Sequence, residues 1–340
     1  MNSFPEIRRN LFIGNTASSG AAIGSLYSSP EISENAIIGN ASALRGGGIY
    51  SRDDVGAFIE GNLIVGNTCL ERGGGVGFFD SSPVFVRNTV AGNSSRDGGG
   101  IYFATSASPI ISSCTITANS ADSSGAGIYC EVDCSPTIEN TIVWGDEGDE
   151  VVFEPGASPV LTYCSVEGGW PGQGNIDADP LFVLAEKQDY RLLWLSPCID
   201  SGHPDSLDPD GTRSDIGAEF FDQDDYLTLY LTPDTTEVAP GAELGVTYTA
   251  INRWAQPEPF WVLTEAVLPT GDTLGVMGPE AHTLPAAHAA RVHVVHGMPP
   301  FAPTGWYEYS SKIGHPPATL YDEDRFRFQV TEPGDRPQGR

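Results

Sequence analysis

Three sets of residues in this sequence have types and spacing that could do chemistry. The first is aromatic: Tyr50, Tyr102 and Tyr129 each follow an aliphatic residue in the glycine-rich segments Gly48-Ile49-Tyr50, Gly100-Ile101-Tyr102 and Gly127-Ile128-Tyr129. Stacked and exposed, such rings pack on the C–H faces of sugars; equally, they reinforce a sheet by same-face pairing. The second is acidic. Asp53 and Asp80 stand at equivalent places one repeat apart, on a mixed-charge rim with Arg45, Glu71, Arg72 and Arg96, and glycoside hydrolysis asks for two carboxyl groups roughly 5 to 9.5 Å apart. A lyase would instead need a cation to neutralise a uronate and a Lys or Arg base, but Arg72 has no carboxylate cluster at repeat spacing and no lysine precedes Lys187. The third set is Asp208, Asp210 and Asp215 around Gly211, joined by Asp177, Asp179 and Asp200 if that segment folds back. Carboxylates on such a loop are ligands that calcium prefers. The plainer reading makes them Asx-turns paired with Arg213.

The tyrosines and the Asp53/Asp80 pair are held in register by a repeat. Gly46-Gly47-Gly48-Ile49-Tyr50, Gly73-Gly74-Gly75-Val76-Gly77, Gly98-Gly99-Gly100-Ile101-Tyr102 and Gly125-Ala126-Gly127-Ile128-Tyr129 follow a weaker copy at Gly20, with successive starts 26, 27, 25 and 27 residues apart. Asn15, Asn40, Asn67, Asn93 and Asn119 keep the same step, each with an apolar residue three places earlier, and Ser-Pro recurs at Pro30, Pro83, Pro109, Pro136 and Pro159. Three markers in one register define a solenoid. Each repeat shows three short β-type runs, such as Gly100–Phe103, Pro109–Ser112 and Cys114–Thr117, and none long enough for an amphipathic helix. The predicted fold is all-β: a right-handed parallel β-helix whose strands pair one rung along, with the five asparagines stacked at one turn. Alternation places Ile49, Val76, Ile101 and Ile128 on one face and Tyr50, Gly77, Tyr102 and Tyr129 on the other.

The glycine-rich and asparagine segments of residues 5–165 resemble the repeats of polymorphic outer-membrane proteins and of bacterial extracellular β-helix proteins of the pectate-lyase-like superfamily. That resemblance implies a secreted or cell-surface protein and an extracellular polysaccharide or cell-surface glycan as partner. It does not choose among lyases, hydrolases, adhesins and passenger domains. The Asn-x-Asp, Asp-Asp and Gly-His-Gly pattern of polygalacturonases is absent, so the expected role is non-catalytic carbohydrate binding or adhesion, the rival being a polysaccharide lyase or glycoside hydrolase using Asp53, Asp80 and Arg72. Asp-Pro-Leu-Phe at 179–182, Ser-Pro-Cys-Ile-Asp-Ser-Gly at 196–202 and Asp-Ile-Gly-Ala at 215–218 are similar to the terminal segment that closes many such β-helices, here expected to cover the last rung.

The predicted organisation is a β-helix over 1–170, a terminal cap over 171–222, an antiparallel immunoglobulin/fibronectin-III-like sandwich over 223–333 and a disordered tail over 334–340. Seven alternating runs between Pro/Gly turns carry the sandwich: Leu227–Leu231, Glu243–Ile251, Phe260–Leu268, Thr273–Val276, Ala287–His296, Gly305–Ile313 and Arg325–Val330. Around Thr141–Asp146 the repeat loosens, with Gly145 in the place of the ladder asparagine. Cys114 and Cys164 stand where other rungs carry Asn35, Asn62, Asn88 and Asn140, two rungs apart and too far to bond. Buried single thiols are favoured over a disulfide, for Cys130 and Cys134 as well.

A formal charge of −28 and only two lysines, Lys187 and Lys312, argue against nucleic acid and anionic membranes as partners. No run approaches the roughly 18 apolar residues of a membrane span. Pro5–Asn15 matches Pro30–Asn40 and no signal-peptide layout precedes it, so a fragment starting partway through a repeat is expected.

Overall fold

In a computed structural model, the residues described are 4–54, 56–104, 106–222, 227–315 and 319–331. The expected 334–340 tail lies outside them. The described chain forms two compact units, one of residues 1–192 and 196–221 and the other of 193–195 and 222–340.

The first unit is a parallel β-solenoid in which every strand pairs with its counterpart one repeat on. Its turn has four strands, where the sequence showed three. Two seven-stranded sheets run from Glu6–Arg8 to Val160–Thr162 and from Leu11–Ile13 to Ser165–Val166. A six-stranded sheet carries the glycine-rich strands, Ile23–Leu26 to Val151–Phe153, and a five-stranded one spans Thr16–Ser19 to Ser120–Ser124. This last sheet is built mostly from Ser, Ala, Thr and Asp, with Leu44 and Cys69 its only larger apolar residues and no apolar alternation, so periodicity could not reveal it. The strands of the first two sheets point one side chain inward and the longer glycine-rich strands two, such as Val76 with Phe78 and Ile101 with Phe103, and Ile59, Phe85, Ile111, Ile64, Val90, Ile116, Val76 and Ile101 are wholly buried. The glycine triplet is steric in origin: a Cβ on Gly47 would lie 2.2 Å from the carbonyl oxygen of Gly74 and 2.5 Å from that of Thr68.

Asn15, Asn40, Asn67, Asn93 and Asn119 stack as a ladder, each Nδ2 donating to the next Oδ1 at 2.9, 2.9, 3.0 and 3.0 Å. Each of those Oδ1 atoms also accepts the backbone N–H of the rung before. Pairing of Thr117 with Trp144 sets Gly145 one place short, so the next ladder position falls to Asp146, whose Oδ1 accepts from Asn119 N at 2.6 Å and Nδ2 at 2.9 Å. A second ladder joins Asn10, Asn35, Asn62 and Asn88. Thr141, not Asn140, continues it opposite Cys114, donating toward neither sulfur but accepting Cys114 N at 3.3 Å. All six cysteines are buried free thiols.

The cap does more than cover the last rung. It runs back along the outer face of the second sheet: Tyr190 packs on Val65 and Ala91, Ala218 N donates to Thr115 Oγ1 at 3.0 Å, and Gly217 N donates to the Asn140 carbonyl at 2.8 Å. Asn140, displaced from the ladder, is its anchor, with Oδ1 accepting His203 N at 2.7 Å and Nδ2 reaching Ser214 Oγ at 3.3 Å.

In the second unit, strands Leu227–Pro233, Glu243–Asn252 and His288–Gly297 form one antiparallel sheet. Glu258–Val267, Thr273–Leu284, Gly305–His315 and Thr319–Val330 form the other, with the short Glu237–Val238 on its edge. Its core holds Leu229, Val246, Phe260, Tyr309, Ile313 and Phe328.

Candidate functional site

The aliphatic ladder does point inward, and Tyr50, Tyr102 and Tyr129 do point outward, but they are not an open platform. Phe79 leans over the gap left by Gly77, where a Cβ would sit 2.9 Å from the Phe79 ring. The result is a column Tyr50–Phe79–Tyr102–Tyr129 with ring centroids 5.5, 5.6 and 5.3 Å apart. Arg45 lies over Phe79 at 5.0 Å and Arg72 over Tyr102 at 5.4 Å. Glu131 accepts from the Tyr102 hydroxyl and pairs with Arg72 at 3.2 Å, and Glu154 accepts from Tyr129 at 2.6 Å. Tyr50 is 5% exposed and Tyr102 1%. Burial and the Glu131 carboxylate together push the Tyr102 hydroxyl's pKa above its ordinary value. Arg45 and Arg72, which the sequence placed on a rim, cover the column, whereas Arg96 pairs with Glu71 and Asp97; of the rings only Tyr129 stays partly exposed.

Asp53 and Asp80 do occupy matching turns on adjacent rungs, following the paired Arg52 and Phe79. Both have left-handed backbone, φ 53° and 47°, a geometry Asp tolerates better than most residues. Asp53 pairs with Arg52 at 3.2 Å, whereas Arg72 is engaged with Glu131 and Tyr102. The guanidinium of Arg72 is thus committed to the tyrosine column.

The cap aspartates serve the backbone. Asp208 Oδ2 accepts Asp215 N at 2.8 Å; Asp210 Oδ1 accepts Thr212 N and Oγ1 at 2.9 and 2.7 Å; the two oxygens of Asp215 accept Asp200 N at 2.7 Å and Phe221 N at 2.6 Å. Asp177 and Asp179 accept Gly168 N and Leu181 N. Among the described residues no three acidic, His or Cys side chains gather as a metal site, so the calcium grouping of Asp208, Asp210 and Asp215 does not form. Arg213 does not pair with these aspartates as the turn reading expected; it donates to the carbonyls of Gly202 and Ser201 and lies over Tyr163. Desolvation raises the pKa of Asp215 to about 6 and that of Asp208 in the same direction.

The folded-back cap creates what the sequence did not show. Between it and the turns linking the first two sheets lies a polar cleft of about 570 Å³, lined by Arg87, Ser113, Asn140, Asp208, Asp215 and Glu219 among others. A second hollow of about 350 Å³ shares Gly61, Arg87 and Glu219 and extends past Tyr190. The wall residues Gly61, Arg87, Ser113 and Asn140 all have left-handed φ, from 49° to 62°. Each precedes a position of the second ladder, the side chains of Arg87, Ser113 and Asn140 line the cleft, and the residue varies from rung to rung. That variable place beside the ladder residues Asn62, Asn88, Cys114 and Thr141 was the signal available in the sequence.

A further cluster closes the first ladder. Asp146 Oδ2 and Glu150 Oε2 are buried without a donor, while Glu150 Oε1 accepts Asp146 N at 3.0 Å and Glu167 accepts Gly145 N at 2.9 Å. Burial raises the pKa of both Asp146 and Glu150, and the facing carboxylate raises Glu150 further. Burial and the facing carboxylate both favour the protonated form of Glu150.

Stacked parallel rungs with ladder asparagines define a β-solenoid of the right-handed parallel kind. The family described as "Right handed beta helix region" matches residues 1–176, and the chain belongs to that family. No curated protein sequence matches it. Among solved structures, the sporulation control protein Spo0M of Bacillus subtilis is similar at 8% identity over 31% of this chain and 49% of its own, with a TM-score of 0.26. A Niemann-Pick type C2 protein from the Japanese carpenter ant has 9% identity, 31% and 93% coverage and a TM-score of 0.25. A β-glucosidase of Listeria innocua has 16% identity, 37% and 19% coverage and a TM-score of 0.23. The chain thus spans about half of the Spo0M chain, and likenesses this slight carry no argument. Among the described residues no helix is long and apolar enough to cross a membrane.

Proposed function

We propose that this β-helix is a non-catalytic secreted or cell-surface protein that binds an extracellular glycan along the cleft between the cap and the solenoid. The supporting observation is the cleft itself. Its volume lies in the range of small-molecule sites, and its hydroxyl, amide, carboxylate and guanidinium groups match what sugar hydroxyls exchange for water. Three carboxylates, Asp208, Asp215 and Glu219, face one guanidinium, Arg87, a balance that favours neutral over uronate-rich glycans. Hydrolysis is disfavoured because both oxygens of Asp215 already accept backbone N–H groups, leaving the carboxyl group with the raised pKa unable to swing toward a substrate.

The test is retention on neutral and uronate-containing polysaccharides with simultaneous assay of new reducing or unsaturated ends. Retention on neutral polymers that falls in Arg87→Ala and in Leu207→Ala, an exposed residue of the cleft wall, without new ends, supports the reading. New ends, or retention indifferent to both substitutions, would sink it.

A further inference from the structure

The sandwich is closed on one side and open on the other. Strands Thr273–Leu284 and His288–Gly297 are the facing edges of its two sheets, joined by the short 285–287 turn. Their inward residues should be core, yet apart from Leu284 they are only partly buried or exposed. Val246 is fully buried, but its cross-strand partner Val294 is half-buried; Tyr248 is 6% exposed, but its partner Val292 is 56%. In the other sheet Phe260, Val262 and Ala266 are buried, while their partners His282, Glu280 and Leu274 are exposed. The two sheets therefore stay apart along this edge, and two cavities fill the slot. One, of about 270 Å³, is lined by Leu229, Phe260, Met277, Leu284 and Val294; the other, of about 540 Å³, by Leu244, Leu268, Val276, Met298 and Phe328.

A chain of polar groups crosses the core between them. Ser311 and Thr264 hydroxyls lie 2.9 Å apart, Thr264 and Tyr248 3.3 Å; Tyr248 meets Tyr309, and the Tyr309 hydroxyl lies 2.7 Å from His296 Nε2. Tyr248 lines the smaller cavity and Tyr309 and His296 the larger. Neither lining contains Lys or Arg. A carboxylate or phosphate entering here would lose its hydration and meet no cation, a severe penalty; a hydroxyl or ester carbonyl would find hydroxyl and imidazole partners. Sheets packed about 10 Å apart leave room for one hydrocarbon chain and not for a polypeptide with its own backbone to satisfy.

From this geometry we infer that the slot between the two edge strands is a binding site for a neutral single-chain lipid, a long-chain alcohol or acyl ester. Its apolar chain lies in the cavities and its polar end meets the Tyr248–Tyr309–His296 chain.

The probe is 1-dodecanol added to the whole chain, with dodecanoate and dodecyltrimethylammonium as charged comparators of equal length. Binding should be saturable and one to one, with both comparators weaker by roughly tenfold or more. Amide exchange should slow in 273–284 and 288–297 and stay unchanged in 5–166. Val294→Trp and Val276→Trp, which fill the two cavities, should each weaken binding by roughly tenfold. Ala289→Trp, outward-facing and outside both linings, should not. Should a filling variant fail to fold, the exchange pattern of the unaltered protein still decides. Unsaturable binding, dodecanoate binding as tightly as dodecanol, or slowed exchange confined to other segments each overturns the inference.

Discussion

At the scale of single residues, outward-pointing groups here are consumed by one another. Tyr102 sits between two rings, under Arg72 and against Glu131, so Tyr102→Ala should destabilise the solenoid by about 3 kcal/mol, the usual loss for a buried aromatic. Urea unfolding measures this, and glycan retention should be unchanged in whatever fraction remains folded. The Asp146–Glu150 pair carries the clearer pH signature. Both folded-state pKa values are raised, chiefly by burial, so the folded protein holds a proton that the unfolded chain has released. The pair's contribution is complete below the ordinary carboxylate range and is lost as pH rises through the elevated folded values. The charge of −28 gives the same sign by self-repulsion, so wild type alone cannot separate the two causes. Glu150→Gln can: an amide donates to Asp146 Oδ2 without a proton. Its unfolding midpoint, measured relative to wild type, should be near parity in mild acid and higher above neutrality. A constant offset across the titration would remove that proton from consideration.

At the scale of elements, the ladder is both the feature most legible in the sequence and the one most exposed to test. Asn93 accepts from Asn67 through two N–H groups and donates to Ile64 O and Asn119 Oδ1, all in a fully buried site. Asn93→Ala strands several buried polar groups at once, and at roughly 1 to 3 kcal/mol for each unsatisfied group the loss should reach about 3 kcal/mol or more. Asn93→Ser, which keeps a single hydroxyl, should recover only part of the melting temperature. Asparagine was readable because its place requires that amide on every rung. The fourth strand was not, because Ser120–Ser124 and its neighbours bury little and show no alternation. The breakdown near residue 145 was misplaced by one position for a related reason: a carboxylate can take over the acceptor half of the ladder, and Asp146 does so. Asn140 shows the converse, an asparagine outside the ladder that anchors the cap. The seven main sandwich strands were legible from alternation and turns, but the slot along one edge was not, since alternation marks an inward face whether or not anything covers it. The tyrosine column was placed on the correct face with the wrong exposure, because its covering residues come from other strands of other rungs.

At the scale of the whole molecule, the excess of acid calls for an account of where the carboxylates go. In the cap they are stitched into turns: Asp177, Asp179, Asp208, Asp210 and Asp215 each accept a backbone N–H. Such bonds fix a segment that has almost no regular structure of its own, since its longest element within 171–221 is the strand Asp189–Leu192. A carboxylate committed in this way is aimed by its turn, and the aspartates point to separate N–H groups instead of a common centre. Cations should then act on this protein only as screening ions, relieving repulsion among exposed acids within a Debye length of roughly 8 to 10 Å. Sodium and calcium chlorides matched for ionic strength should raise the melting temperature alike, and a chelator at constant ionic strength should do nothing. A calcium-specific increment would instead mean binding to the folded state alone. Were that increment abolished in Asp210→Asn, whose carboxylate meets Thr212 through a single oxygen, the cap loop would have to rearrange around the ion, and the turn geometry described for Asp208 and Asp215 would be one of two states.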